Sequence, residues 1–207
     1  MIFETFPVGP FQCNCLIIGC EESRAAVVID PGGDAERILS VLAKHQLNTL
    51  YLLHSHAHLD HVGATKPVHE KSGGQTCLHE DDMFLCDHLA AQAELFGLPT
   101  PETPQINQFL KNGDRLSFGK QSVEVLHTPG HTPGSLSFYI EGIGLVTGDT
   151  LFAGSVGRTD LWKGSHPDLI ASIKRHLLAF PDETDVYPGH GPKTTIGVER
   201  RGNPFLT

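Results

Sequence analysis

Apolar positions fall into two repeating patterns along the chain, and each predicts its own kind of element. Cys15 to Ile18 and Ala25 to Ile29 are short apolar runs split by Glu21-Glu22-Ser23, which reads as a hairpin. From Asp34 to Leu47, apolar residues at Ile38, Leu39, Val41 and Leu42 follow a helical spacing behind an Asp cap. Leu50 to Leu53 is an apolar strand. Asp60 to Lys71 predicts a second helix and Glu80 to Phe96 a third, with acidic residues at its start and Gly97 as its stop. Gly97 to Ile106 carries Pro99, Pro101 and Pro104, and reads as a loop and a boundary between halves. Beyond it, Leu116 and Phe118 alternate before Gly119-Lys120, and Val123 and Val125 alternate after it, giving another hairpin. Leu136 to Ile140, Leu145-Val146 and Val186-Tyr187 are further strands. Ser165-His166-Pro167-Asp168 resembles a capping box, followed by a helical stripe of Leu169, Ile170, Ile173 and Leu177. Strands and helices alternate throughout, so the class is α/β or α+β.

Composition narrows the functions. A chain of 207 residues with 39% hydrophobic and 19% charged residues can bury a substantial core and is not a disordered tail. Fifteen Lys and Arg stand against twenty-four Asp and Glu, a net charge of -9, which argues against gripping nucleic acid through its phosphates. No apolar run approaches the ~18 residues of a membrane span, and Met1 to Pro7 does not read as a secretory signal. Five cysteines is an odd number that argues against a disulfide framework, so the cytoplasm is the expected compartment. The thirteen histidines are the excess to be explained.

Five of the residues between His54 and His61 are His or Asp: His54-Ser55-His56-Ala57-His58-Leu59-Asp60-His61, directly after the strand Leu50 to Leu53. In extended chain, His56 and His58 project to one face. Imidazoles and a carboxylate at a strand end are the ligands that Zn²⁺ and Fe prefer. Three later segments share the logic. His131 in Thr128-Pro129-Gly130-His131-Thr132, Asp149 in Thr147-Gly148-Asp149-Thr150 and His190 in Pro188-Gly189-His190-Gly191 each follow a strand and sit beside glycine.

The set His56-Ala57-His58-Leu59-Asp60-His61 with His131, Asp149 and His190 resembles the metal-binding pattern of the metallo-β-lactamase-fold hydrolases, and the match covers essentially the whole chain. Asp30-Pro31-Gly32 is similar to that family as well. Gly157-Arg158-Thr159-Asp160 and the ending Glu199 to Leu206 resemble the short bacterial glyoxalase II-like proteins. The resemblance implies one domain over residues 1–207, a four-layer αβ/βα sandwich of two mixed sheets with outer helices. It implies two divalent metal ions, Zn or Fe and possibly Mn, in one cleft. His56, His58 and His131 would hold one, Asp60, His61 and His190 the other, and Asp149 would bridge. Asp60 and Asp149 would be the catalytic carboxylates. Two cations lower the pKa of a bound water towards ~7, so hydrolysis needs no Ser or Cys nucleophile.

The activity the resemblance implies is cleavage of an acyl-glutathione thioester, a small-molecule substrate. The helical C-terminal domain of larger glyoxalase II enzymes is not expected in so short a chain. Alternatives on the same fold are a mononuclear iron persulfide dioxygenase and a lactone or phosphoester hydrolase. Arg158, Lys193 and Arg200 are candidate contacts to an anionic substrate, although Arg158 can equally pair with Asp160. His54 reads as structural, His127 as a support for the His131 loop, and Cys13 and Cys15 as buried strand residues.

Overall fold

The apolar runs of the first half become the inner strands of a sheet. The computed structural model describes residues 1–206 and divides them into two units: Met1–Leu110 with Ser117–Gln121, and Lys111–Leu116 with Ser122 onward. The first unit holds β1 (Ile2–Val8), β2 (Cys13–Gly19), β3 (Ala25–Ile29), α1 (Ala35–Lys44), β4 (Asn48–Leu53), α2 (Leu59–Val62), α3 (Thr65–Ser72), β5 (Gln75–Leu78), α4 (Met83–Asp87), α5 (Leu89–Phe96) and β6 (Gln108–Phe109). Its sheet runs in the order β1-β2-β3-β4-β5-β6. β1, β2 and β3 pair antiparallel, and β3, β4, β5 and β6 pair parallel. β3 is buried at every position, as expected for a strand covered on both faces. Ile38 and Leu42 of α1 pack with Val28, Leu52 and Val68 on one face, and Leu78, Leu85, Leu89 and Ala93 form a second cluster.

The second unit carries the first half of β7 (Arg115–Phe118), β8 (Gln121–His127) beyond its first residue, β9 (Leu136–Ile140), β10 (Gly144–Gly148), β11 (Leu151–Phe152), β12 (Ser155–Val156), α6 (His166–Ser172), β13 (Asp185–Pro188), β14 (Thr194–Thr195) and α7 (Ile196–Gly202). Its main sheet is ordered β14-β13-β10-β9-β8-β7, with β11 and β12 as a separate ribbon. β8, β9 and β10 alternate in direction, and β13 lies parallel to β10. Leu169, Ile173 and Leu177 pack against Leu145, Val186 and Ile196, so the helical stripe read from the sequence is the core face. That stripe passes from α6 into a π-helical turn, Ile173–Leu177. Among the described residues no helix is long and apolar enough to cross a membrane.

Several expected elements differ. The second helix is broken in two, because Gly63 lies against the carbonyl oxygens of Gly32 and Leu59, and Ala64 donates its N–H to Pro31. The third splits into a 3₁₀ turn at Glu80–Asp82, α4 and α5, with the break at His88. Asp34 is the N-cap residue of α1, but its side chain makes no capping bond. It adopts φ 50°, and its carboxylate accepts the Gly9 N–H at 3.0 Å. Nor does the proline-rich loop divide the halves. β6 returns to β5, Leu110 N–H bonds to Leu78 O, and the changeover follows Leu110.

One packing constraint bears directly on the His-rich loop. A Cβ on Gly32 would sit 1.5 Å from the Asp60 carbonyl oxygen, a backbone atom that cannot swing aside. Gly32→Ala is expected to cost about 3 kcal/mol or more in urea unfolding. Gly202→Ala, with open space around it, should change stability by less than ~1 kcal/mol. Equal midpoints for the two variants would contradict this close approach.

Candidate metal centre

Parallel pairing decides where the chemistry gathers. β3 and β4 run side by side with Ile29 opposite Leu53, so the residues that follow them, Asp30 and His54 to His61, emerge at one edge of the sheet. Asp30 is fully buried, with φ 53°. Its Oδ1 accepts the Ser55 N–H at 2.7 Å, and its Oδ2 accepts the Ser55 hydroxyl at 2.7 Å and His61 Nδ1 at 3.0 Å. A carboxylate only accepts, so His61 carries its proton on Nδ1 and its lone pair on Nε2. That Nε2 lies 3.7 Å from Asp60 Oδ2. The Ser55 hydroxyl, having given its proton to Asp30, accepts from His56 Nδ1 at 3.0 Å and leaves the His56 lone pair on Nε2. The rings of His56 and His61 lie 4.0 Å apart, and those of His56 and His58 4.7 Å apart, edge to face.

The loop backbone is held as firmly as its side chains. Ala57 N–H donates to buried Asp82 at 3.1 Å, and Leu59 N–H to Gln92 Oε1 at 2.9 Å. His54 is the anchor expected of it: fully buried, with Nδ1 on Cys77 O at 2.8 Å and Nε2 on the Thr65 hydroxyl at 2.7 Å. Burial lowers its pKa, so it stays neutral. Cys13 and Cys15 are buried as read, but Cys13 Sγ also touches His61 Nδ1 at 3.5 Å. Burial pushes the Cys13 thiol up to about 12, so it meets the imidazole as a neutral thiol.

The second unit repeats the arrangement. β10 and β13 are parallel with Gly148 opposite Pro188, and Gly189 N–H bonds to Gly148 O at 2.7 Å, so Asp149 and His190 leave the sheet together. β8 runs in the same direction as β10 and brings His131 to that edge. His131 Nδ1 donates to Arg158 O at 2.7 Å, which puts its lone pair on Nε2. Asp149 turns Oδ2 to His131 Nε2 and Oδ1 to His190 Nε2, each at 3.7 Å. That spacing is too long for a hydrogen bond. Two donors each ~2.1 Å from a shared cation would subtend about 120° at that separation. The carboxylate therefore offers one oxygen to each of two imidazoles, a donor set that fits a pair of divalent ions.

The Gly-Arg-Thr-Asp element has a structural job here. A Cβ on Gly157 would lie 1.8 Å from Asp149 O, and the Arg158 carbonyl orients His131. The Arg158 guanidinium binds Asp160 through two bonds, at 2.7 and 2.8 Å. Lys193 pairs with Asp185 at 2.9 Å, and Arg200 bonds Asp182 and the carbonyls of Leu178 and Phe180. His127 closes the loop that carries His131, with Nε2 on Pro133 O at 2.9 Å. Sequence reasoning missed Asp30 as the organiser of the His loop, and missed Asp82 and Gln92. The signal for Asp30 was present: a charged residue directly after a strand apolar at every position.

Asp30→Asn replaces an acceptor with a donor facing Ser55 Oγ and His61 Nδ1. Expected are a loss of about 1–3 kcal/mol in denaturant unfolding and a ~10–100-fold weaker affinity for divalent metal by calorimetry. A variant with both quantities unchanged would contradict the role given to Asp30.

Comparisons with known proteins bear on the family and the fold. The model of the metallo-beta-lactamase superfamily matches residues 8–190. Hydroxyacylglutathione hydrolase GloC of Haemophilus influenzae is 43% identical over 100% of this chain and 98% of its own length. The crystal structure of BLEG-1 B3 metallo-beta-lactamase superposes with a TM-score of 0.92 at 40% identity, covering 100% of both chains. That of TTHA1623 in a di-iron-bound form superposes at 0.88 with 44% identity, covering 97% of this chain and 98% of the other. The two mixed sheets with flanking helices are the superfamily's fold, and the chain belongs to the metallo-beta-lactamase superfamily.

Proposed function

We propose that this chain is a thioesterase that hydrolyses acyl-glutathione thioesters with two divalent metal ions, Zn or Fe and possibly Mn. The observation that carries the reading is Asp149 with one oxygen toward each of His131 and His190. His56, His58 and His131 would hold one ion, and Asp60, His61 and His190 the other, with Asp149 shared. When bound, such a pair supplies a water of lowered pKa and polarises the thioester carbonyl. Asp60 and Asp149 offset the added charge and orient the attacking water. Asp30, Ser55 and the Arg158 carbonyl fix the imidazole tautomers, so His56, His61 and His131 all present Nε2 lone pairs. A thiol of pKa near ~8.5 leaves as thiolate at modest cost, so the reaction needs no strong general acid. Full mutual coverage with the relative named hydroxyacylglutathione hydrolase supports the substrate class. All five cysteines are free and buried, which suits a reducing compartment, and we place the enzyme in the cytoplasm.

Purified protein is expected to carry two metal ions per chain and to cleave a 2-hydroxyacyl-glutathione thioester, followed by absorbance, without consuming O₂. A lactone, a phosphoester and a β-lactam belong in the same panel. Rapid O₂ uptake with glutathione persulfide, no thioester cleavage and a single iron per chain would replace this reading with the dioxygenase. Asp149→Ala should lose at least one ion per chain and lower kcat/KM by ~100-fold or more. Unchanged metal content and turnover in that variant would remove Asp149 from the site.

A further inference from the structure

A second feature of the first unit adjoins the His loop and is not used by the chemistry above. It is a cavity of about 420 Å³ with walls from Pro10, Phe11, Leu59, Leu98, Pro99 and Pro101. Asp60, a candidate metal ligand, forms part of its lining, together with Asp34. The size and the largely apolar walls are those of a small-molecule site. Phe11 and Phe96 stand edge to face at 5.1 Å, yet both rings remain exposed, at 38% and 42%. Neighbouring exposed aromatic rings beside a cavity mark a place where apolar ligand surface is buried.

Phe11 is held in position in the free protein. It lies in the β1–β2 turn, where Gly9 has φ 65° and Gln12 φ 56°, and the Gln12 side chain donates to Gly9 O at 2.7 Å. The turn is tied to the segment after β3 by the Gly9 N–H bond to Asp34 at 3.0 Å. Gly33 lies so close to Gly9 that an added Cβ would fall 2.6 Å from the Gly9 Cα. Little ordering is therefore left for a ligand to impose on this wall.

Charge decides which end of a thioester fits. Among the described residues the lining includes the carboxylates of Asp34 and Asp60 and no Lys, Arg or His. A bound cation would compensate Asp60, but no cation of the lining compensates Asp34, whose carboxylate repels glutathione, a net anion. The acyl group is neutral and gains from apolar burial. We propose that this cavity takes the acyl group, and that the preferred substrates are glutathione thioesters of larger apolar acids, branched or aromatic, over those of two- and three-carbon acids. The inference rests on the thioesterase reading and names its substrate class.

The test measures kcat/KM over a series of acyl-glutathione thioesters, from acetyl to octanoyl and phenylacetyl. In parallel, calorimetry on the metal-loaded enzyme follows binding of S-alkyl glutathione thioethers from methyl to octyl, which lack the scissile carbonyl. Both kcat/KM and affinity should rise by up to about fourfold per buried methylene until the cavity is full. Phe11→Ala and Leu98→Ala should each at least halve that slope. Leu95→Ala, which removes an exposed side chain outside the lining, should keep it. Phe11 is exposed, so its variant is expected to fold even if the Leu98 variant does not. Thioesters cleaved with a flat or falling length profile, or a slope unchanged in Phe11→Ala, would overturn this inference and leave the thioesterase reading standing. No cleavage of any thioester, with thioether binding that still tightens with length, would overturn that reading and leave the apolar assignment of the cavity. Failure of both series would overturn both.

Discussion

The buried carboxylate of Asp30 is the constraint on which the rest of the His-rich edge depends. A charge removed from water must be compensated by donors, and Asp30 meets three: the Ser55 N–H, the Ser55 hydroxyl and His61 Nδ1. Each donor it takes fixes something else. The Ser55 bonds set the path of the loop after β4. The His61 bond sets a tautomer, and the spent Ser55 proton sets the tautomer of His56. Deleting the carboxylate would free two imidazoles at once. The φ of 53° at Asp30 is the local cost of turning a fully buried strand sharply enough to aim that carboxylate inward.

Strand direction explains why two similar edges exist. In the first unit the parallel β3–β4 pair delivers Asp30 beside the His loop, and in the second the parallel β10–β13 pair delivers Asp149 beside His190. Close glycine contacts make both edges rigid. Gly32 lies against the Asp60 carbonyl and Gly157 against that of Asp149, so each carboxylate-bearing residue is set by backbone packing. The tail works to the same end. Buried Glu199 accepts the Thr194 hydroxyl at 2.7 Å and the Gly154 N–H at 2.9 Å, which ties α7 to the ribbon that follows Asp149.

The seven candidate donors stand out in the sequence as local signals: a dense His-Asp run after an apolar strand, and three strand-end residues beside glycine. Asp30 was seen only as part of a turn, because its partners lie 25 and 31 positions away and reach it only through parallel pairing. Asp82 and Gln92 were hidden for a related reason. An acidic helix start reads as dipole compensation, whereas Asp82 and Gln92 in fact hold the backbone of a distant loop. β1 was missed because Pro7 interrupts its pattern, which the strand tolerates by lying at the sheet edge and pairing only with β2. The helix break at Gly63 comes from tertiary contacts with Pro31 and Gly32 and leaves no trace in the helical periodicity.

The proposed function needs two cations, because Asp149 turns one oxygen toward each of His131 and His190. Crystals of metal-loaded protein, with anomalous scattering recorded on either side of the metal absorption edge, test this pairing. Two anomalous peaks ~3.5–4 Å apart are expected, with Asp149 between them, His131 on one and His190 on the other. A single peak, or two peaks with His61 and His190 turned away from both, would contradict the pairing.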